Sequence, residues 1–117
     1  MKFNFGLFKA IATRVYNSMD SPVYSLEEVL WVFRFYFQTY EDTFGESHPP
    51  IRKEQIARII EAMPFINWED GTADIYSSDY EALIEQHFQT RYHNCDYNIN
   101  HFFSGDIRML RYYETLY

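Results

Sequence analysis

Cysteine and glycine are scarce in this sequence. The single cysteine, Cys95, excludes an internal disulfide and is typical of a protein that folds in a reducing compartment. The four glycines stand far apart, at positions 6, 45, 71 and 105, so the chain has no glycine-rich loop that could cradle a phosphate. These absences argue against a disulfide-stabilised scaffold and against a phosphate-binding loop.

The chain also lacks a long uncharged apolar run. A helix that crosses a bilayer needs about 20 predominantly apolar residues, and Glu27, Glu28, Arg34 and Gln38 interrupt the most hydrophobic stretch, residues 25–40. The opening residues, MKFNFGLFKAIA, do not combine the apolar core and small-residue cleavage site of a signal peptide. We therefore expect a cytoplasmic protein with no membrane partner.

Lysine and arginine are missing from residues 59–90, a segment with seven acidic residues. The rest of the chain contains ten acids and ten bases, so the net charge of -7 resides in this one segment. Such a charge asymmetry attracts basic partners over long range.

Aromatic residues are abundant, with 11 Phe, 11 Tyr and 2 Trp among 117 residues. A chain of this length should form a single domain, residues 1–117. Its rings provide more area than one small core requires. The surplus of tyrosine indicates either a recognition surface or a core whose outer hydroxyls reach water.

Residues 25–40, SLEEVLWVFRFYFQTY, predict the helix around which the rest of the domain packs. Ser25 and Glu28 have the spacing of a capping box at its start, and Gly45 is a plausible C-terminal cap. Apolar residues occupy nearly every side of this segment, so we expect neighbouring elements to enclose it.

Helical periodicity predicts further helices over residues 3–19, residues 52–63, residues 78–92 and from Ser104 or Asp106 onward. Ser78 and Glu81 suggest a second capping box. Residues 65–78 fit either a short β-hairpin or a plain loop. The predicted fold is therefore mainly α, or α+β if the hairpin forms, with about five helices. The apolar face of the fourth helix would contain Tyr80, Leu83, Ile84, His87, Phe88 and Tyr92, and one face of the last would contain Ile107, Leu110 and Tyr113 or Glu114.

The candidate metal ligands are His87, His93, Cys95 and His101, with Asp96 between them. Zinc sites use four convergent donors that usually come in two close pairs. His93 and Cys95 are alternate residues, whose side chains point apart in a helix or a strand. Cys95 and His101 could form a nucleophile pair, but the signatures of thiol proteases are absent. We expect no metal, no cofactor and no catalytic residue, and thus a non-enzymatic protein.

The acidic segment interleaves its carboxylates with Trp68, Tyr76 and Tyr80. This pattern is compatible with a surface that imitates a nucleic-acid strand, with carboxylates in place of phosphates and rings in place of bases. It would bind a protein partner that has a basic nucleic-acid-binding groove. The alternative is a solvated surface that only keeps the protein soluble. The candidate partner-binding residues are Glu69, Asp70, Asp74, Tyr76, Asp79, Tyr80, Glu81 and Glu85.

Two other functions remain open at this level. Arg52, Lys53 and Arg58 lie on one face of the third helix, and with the preceding helix and the hairpin they could form a winged helix-turn-helix that binds duplex DNA. The spare aromatic surface could instead join two copies of the chain in a structural homodimer.

Residues 33–65, FRFYFQTYEDTFGESHPPIRKEQIARIIEAMPF, and residues 95–114, CDYNINHFFSGDIRMLRYYE, resemble small uncharacterised proteins carried by phages and mobile elements of Gram-positive gut bacteria. The two stretches cover about half of the chain. The resemblance implies a protein similar in character to anti-CRISPR or anti-restriction proteins, many of which occupy nucleic-acid grooves of defence enzymes. It implies no catalytic or binding residue.

Overall fold

The computed structural model of the chain describes residues 4–20, 22–67, 73–75, 77–92, 95–105 and 107–115. The elements run in the order α1 (Phe5–Ser18), α2 (Leu26–Phe44), α3 (Lys53–Ala62), β1 (Phe65–Asn67), β2 (Ala73–Ile75), α4 (Asp79–Gln89), α5 (Ile99–Phe102) and α6 (Ile107–Thr115). The prediction of a mainly helical fold is confirmed. The hairpin is present as two antiparallel strands of three residues each, with Ile66 opposite Asp74.

Helix α2 begins and ends as the sequence predicts. The Ser25 hydroxyl accepts a hydrogen bond from the Glu28 amide at 3.2 Å, and the Glu28 carboxylate accepts one from the Ser25 amide at 2.9 Å. Gly45 ends the helix in the left-handed conformation, with φ of 72°, which only glycine adopts without strain. The helix buries one long face against the other elements, formed by Val29, Val32, Phe33, Tyr36, Phe37 and Tyr40.

The expectation that neighbours enclose α2 on nearly every side is wrong. Trp31 is 40% exposed, and Glu27 and Gln38 on the same face also reach solvent. A helix repeats every 3.6 residues, so Trp31 points away from Phe33 and towards the side shared with Glu27. One stripe of the central helix is thus a surface.

Helices α2 and α4 lie side by side and run in the same direction. At their first turns the Ser77 hydroxyl donates to the Glu28 carboxylate at 2.6 Å. Nearer their C-terminal ends, the Phe88 ring packs against Tyr36 and Tyr40, with ring centroids 5.0 and 6.2 Å away. Helix α6 covers α4, and α1 packs against α3.

The predicted capping box at the start of α4 does not form. Ser78 has helical backbone angles, φ -66° and ψ -24°, and its side chain makes no capping hydrogen bond. A capping residue normally holds an extended backbone, which aims its side chain at the free amides of the first turn. The sequence spacing alone does not produce that geometry.

The face of helix α6 that is buried differs from the apolar face that the sequence predicts. Leu110 is 50% exposed, whereas Arg108 and Arg111 are 5% and 4% exposed. Arg108 donates hydrogen bonds to the Ala62 carbonyl and, at 3.1 Å, to the Tyr80 hydroxyl. These interactions connect α6 to α3 and α4, and they compensate the burial of a cation that would otherwise favour water.

His48 anchors the connection between α2 and α3. Its Nδ1 donates to the Pro49 carbonyl at 2.7 Å and its Nε2 accepts from the Ile99 amide at 2.9 Å, which fixes a neutral ring. Burial lowers the pKa of His48, and only the hydrogen bond to Pro49 and the charge of Asp96 oppose this effect. The link to Ile99 attaches the four-residue α5, which the sequence did not predict, to the core.

Candidate protein-binding site

The first turns of α2 and α4 border a groove of about 430 Å³ on the protein surface. We call it the acidic groove. Its described lining consists of Glu27, Glu28, Trp31, Ser77, Ser78 and Glu81, and no basic residue is among them. Local sequence accounts for the position of its acids, because carboxylates in the first turn of a helix face the positive end of the helix dipole.

Trp31 is the aromatic side chain of the acidic groove. Its ring stacks on the Phe35 ring one turn along α2, with centroids 5.3 Å apart and planes 26° from parallel. The stacking holds the indole in place while 40% of the residue stays exposed. Little side-chain entropy would therefore be lost if a partner covered the ring.

Three exposed carboxylates lie along the groove and its continuation on α4. Glu27 is on α2, and Glu81 and Glu85 are one turn apart on α4, about 6 Å along the axis. None of the three forms an ion pair with another described residue. Their negative charge is thus available to a basic partner.

Glu28 is the fixed carboxylate of the groove. Hydrogen bonds from the Ser77 hydroxyl and then from the backbone and side chain of Ser25 lower the pKa of Glu28, so this residue stays ionised at neutral pH. Since Glu28 belongs to α2 and Ser77 lies in the turn just before α4, the same bond keeps the two walls of the groove together.

The predicted partner-binding residues are distributed unevenly. Glu81 and Glu85 reach solvent on α4, and Asp79 is half-buried in its first turn. Asp74 lies in β2 and is not among the described lining residues of the groove. Glu69, Asp70 and Tyr76 lie outside the described residues, as does Trp68.

Tyr80 is a correction to the predicted site. The sequence suggested an exposed anchor, but Tyr80 is 0% exposed. Its hydroxyl donates to the Met63 carbonyl at 2.5 Å and accepts from Arg108. Burial raises the pKa of Tyr80 to about 12, although the Arg108 charge acts in the opposite direction. A ring with these contacts belongs to the core, because the apolar stripe of α4 that contains it faces inward.

Sequence reasoning left Glu27 and Trp31 out of the candidate site. A signal for both was present, because positions 27, 31 and 38 share one helical face opposite Val29 and Phe33. The sequence did not associate the acidic residues of α2 with those of α4. Glu28 and Ser77, which a hydrogen bond joins in the structure, are 49 residues apart in the sequence.

The described candidate metal ligands, His87, Cys95, Asp96 and His101, do not converge on one point. Among the described residues, no three side chains of His, Cys, Asp or Glu come together to hold an ion, and His93 lies outside them. Cys95 Sγ is 3.8 Å from His87 Nε2. Burial, followed by the charge of Arg111, lowers the pKa of His87 to about 3, which makes its imidazole a poor proton acceptor near neutral pH.

The basic residues of the third helix are exposed, as the sequence suggested. Arg52, Lys53 and Arg58 all reach solvent. Helix α3, however, packs mainly against α1 and contacts α2 far less than it contacts α1. A helix-turn-helix requires two consecutive helices packed on each other, so the observed packing does not support that alternative.

Comparisons of the chain with protein-family models, curated proteins and solved structures find no match. Among the described residues, no helix has the length and apolarity required to cross a bilayer.

Proposed function

We propose that this protein is a non-catalytic binding protein that occupies a basic, nucleic-acid-binding groove of a protein partner through its acidic groove. Bound there, it would exclude nucleic acid and inhibit the partner. The observation that carries the proposal is that the exposed Trp31 ring lines the same groove as Glu27 and Glu81, carboxylates of two helices that no described cation neutralises.

Each part of the acidic groove has a counterpart in a nucleic-acid strand. Phosphates are replaced by the carboxylates of Glu27 and Glu81 in the groove and of Glu85 on its continuation along α4, which would be attracted to Lys and Arg of the partner. A base is replaced by the indole of Trp31, which could stack on an arginine or an aromatic residue that normally contacts bases. Tryptophan is also among the residues that most often dominate binding energy in protein interfaces.

The groove is suited to rapid association because its charge acts before contact is made. The net charge of -7 and the carboxylates along α2 and α4 would steer a basic surface towards Trp31. The screening length is about 8 Å at physiological salt, so binding should weaken as salt is added.

The test is a capture experiment with two matched variants on cells of the natural source. The groove variant carries Glu27→Lys, Glu81→Lys and Glu85→Lys. The control carries Glu41→Lys, Asp42→Lys and Glu54→Lys, three exposed acids that lie neither in the groove nor on its continuation along α4. Each variant changes the net charge from -7 to -1, so the two variants differ only in the positions of the reversed charges.

The proposal predicts that the wild type and the control capture the same protein, that the groove variant does not, and that the partner's nucleic acid displaces it. Equal capture by both variants, or a ternary complex with nucleic acid still bound, would rule the proposal out. A self-associated species by light scattering, with no other partner captured, would instead favour the homodimer alternative.

A further inference from the structure

A second cleft lies at the other end of the same two helices, where the C-terminal ends of α2 and α4 meet residues 95–97. We call it the tyrosine cleft, and its volume is about 440 Å³. Pockets of this size hold small molecules in other proteins. Five aromatic rings line it: Tyr40, Phe44, Phe88, Tyr92 and Tyr97.

Tyr97 is held in the tyrosine cleft by an unusual backbone. Its φ is 60°, the left-handed region that a residue with a Cβ rarely adopts. Three hydrogen bonds hold it there. The hydroxyl donates to the Thr90 carbonyl at 2.7 Å and accepts from the Tyr92 amide at 3.0 Å, and the carbonyl accepts from the Tyr36 hydroxyl at 2.6 Å. Such a fixed outlier is a common feature of binding sites.

The rings of the cleft form a continuous aromatic wall. Tyr97 packs against Phe44 and Phe88, with centroids 5.4 and 5.5 Å apart. Phe44 is 43% exposed, so the wall is open to a ligand. A neighbouring ring of the same cluster already contacts a cation, because the Arg111 guanidinium lies 3.4 Å from the Tyr92 centroid.

Two exposed carboxylates, Glu46 and Asp96, lie on the lining of the tyrosine cleft. Their negative charge acts on the rings of the cleft. Burial raises the pKa of Tyr40, and the charges of Glu46 and Asp96 raise it further. Arg91 also lines the cleft and is exposed. Neither carboxylate forms an ion pair with it or with another described residue.

We propose that the tyrosine cleft binds a methylated ammonium cation. Aromatic faces attract such ions through their quadrupole, and methyl groups lower the cost of removing the charge from water. The wall formed by Phe44, Phe88 and Tyr97 contacts the methyl groups, and Glu46 and Asp96 balance the charge. The cation is either a free choline-like molecule or a methylated lysine of a protein.

The test uses choline and a trimethyllysine peptide as probes, with the neutral isostere 3,3-dimethylbutanol as the control ligand. Binding is followed by chemical shifts in NMR spectra of the intact protein. Both cations present the same trimethylammonium group, so binding of either supports the proposal, and their relative affinities identify the source. We expect saturable shifts confined to the cleft and binding of the isostere at least about fivefold weaker.

Variants distinguish a site that recognises the cation from a crevice that binds apolar groups in general. Phe44→Leu and Asp96→Asn should each weaken cation binding about fivefold or more, and the asparagine keeps the acceptor for the Asn98 amide. Arg91→Gln should strengthen binding, because it removes a competing cation. Leu110→Ala, at an exposed residue that does not line the cleft, should change nothing. Equal binding of the neutral isostere, or no saturable shift with either cation, would overturn the proposal. Melting temperatures check that each variant is folded.

Discussion

Nε of Arg111 donates a hydrogen bond to Nδ1 of His87 at 3.0 Å, so α6 is attached to α4 by a buried cation and a neutral imidazole. The contact determines the tautomer of His87, because a nitrogen that accepts a hydrogen bond carries no proton. The Arg111 charge also opposes protonation of the ring. Acid should therefore weaken this part of the fold.

The first prediction is a loss of stability in mild acid. The pKa of His87 is about 3 in the folded state and about 6.5 in an unfolded chain, so the unfolded state binds more protons between these values. The contribution to stability is present above about pH 6.5 and falls as the pH is lowered towards 3. From pH 7 to pH 5 this residue should remove about 2 kcal/mol from the free energy of unfolding, measured with urea.

His87→Asn provides the control for that prediction. Its side-chain oxygen can accept the Arg111 hydrogen bond but does not titrate, so the variant should lose about 2 kcal/mol less than the wild type over the same interval. An unchanged pH dependence would mean that His87 does not control acid stability. His48 should contribute with the same sign in both proteins, since burial lowers its pKa as well.

The second prediction concerns the cation itself. Arg111 donates to His87 and Glu114 and lies over the Tyr92 ring. Arg111→Met keeps much of the apolar stem but removes these interactions, and should lower the free energy of unfolding by about 2 kcal/mol. Arg91→Met, at an exposed arginine, should stay within about 0.5 kcal/mol of the wild type. Equal effects in chemical unfolding would show that burial of Arg111 is not stabilised by these partners.

The third prediction uses the two serines with capping-box spacing. Ser25→Ala removes a hydroxyl that accepts a hydrogen bond from Glu28, and should cost about 1 kcal/mol. Ser78→Ala removes a hydroxyl that makes no capping bond, and should change stability by less than about 0.5 kcal/mol. Thermal melts of the two variants compare them directly, and a larger loss for Ser78→Ala would contradict the capping geometry.

The fourth prediction tests the central helix. Phe33 and Phe37 are 0% and 5% exposed, and both pack on Phe8 of α1, with centroids 4.9 and 5.1 Å away. Replacing either by alanine should cost about 3 to 5 kcal/mol, because the cavity cannot close completely. The matched control is Leu110→Ala, an apolar truncation at a half-exposed position that should cost far less. Melting temperatures within a few degrees of wild type for both phenylalanine variants would contradict the assigned core.

The sequence predicts α2 well because its signals are local. The Ser25–Glu28 capping box, the buried face and Gly45 all lie within the helix or next to it, and the structure contains all three. The hairpin was one of two alternatives, and the β1–β2 pairing confirms it. Local patterns therefore locate the main elements.

The buried arginines could not be predicted in the same way. The rule that apolar residues lie inside and charged residues outside would assign Leu110 to the core and Arg111 to the surface. The structure shows the reverse. Arg111 is buried because His87, Tyr92 and Glu114 provide its partners, and these partners are brought close only by the tertiary fold. Trp31 differs from these arginines, because the helical period of the sequence is enough to place it on the exposed face of α2.

The central claim is that the acidic groove binds a basic partner, and association kinetics of the captured partner test it most directly. At low salt the groove variant should associate at least about tenfold more slowly than the control variant of equal net charge. Trp31→Ala should mainly accelerate dissociation, as expected for an aromatic anchor. If the groove and control variants associate at the same rate and Trp31→Ala leaves dissociation unchanged, the acidic groove is not the interface.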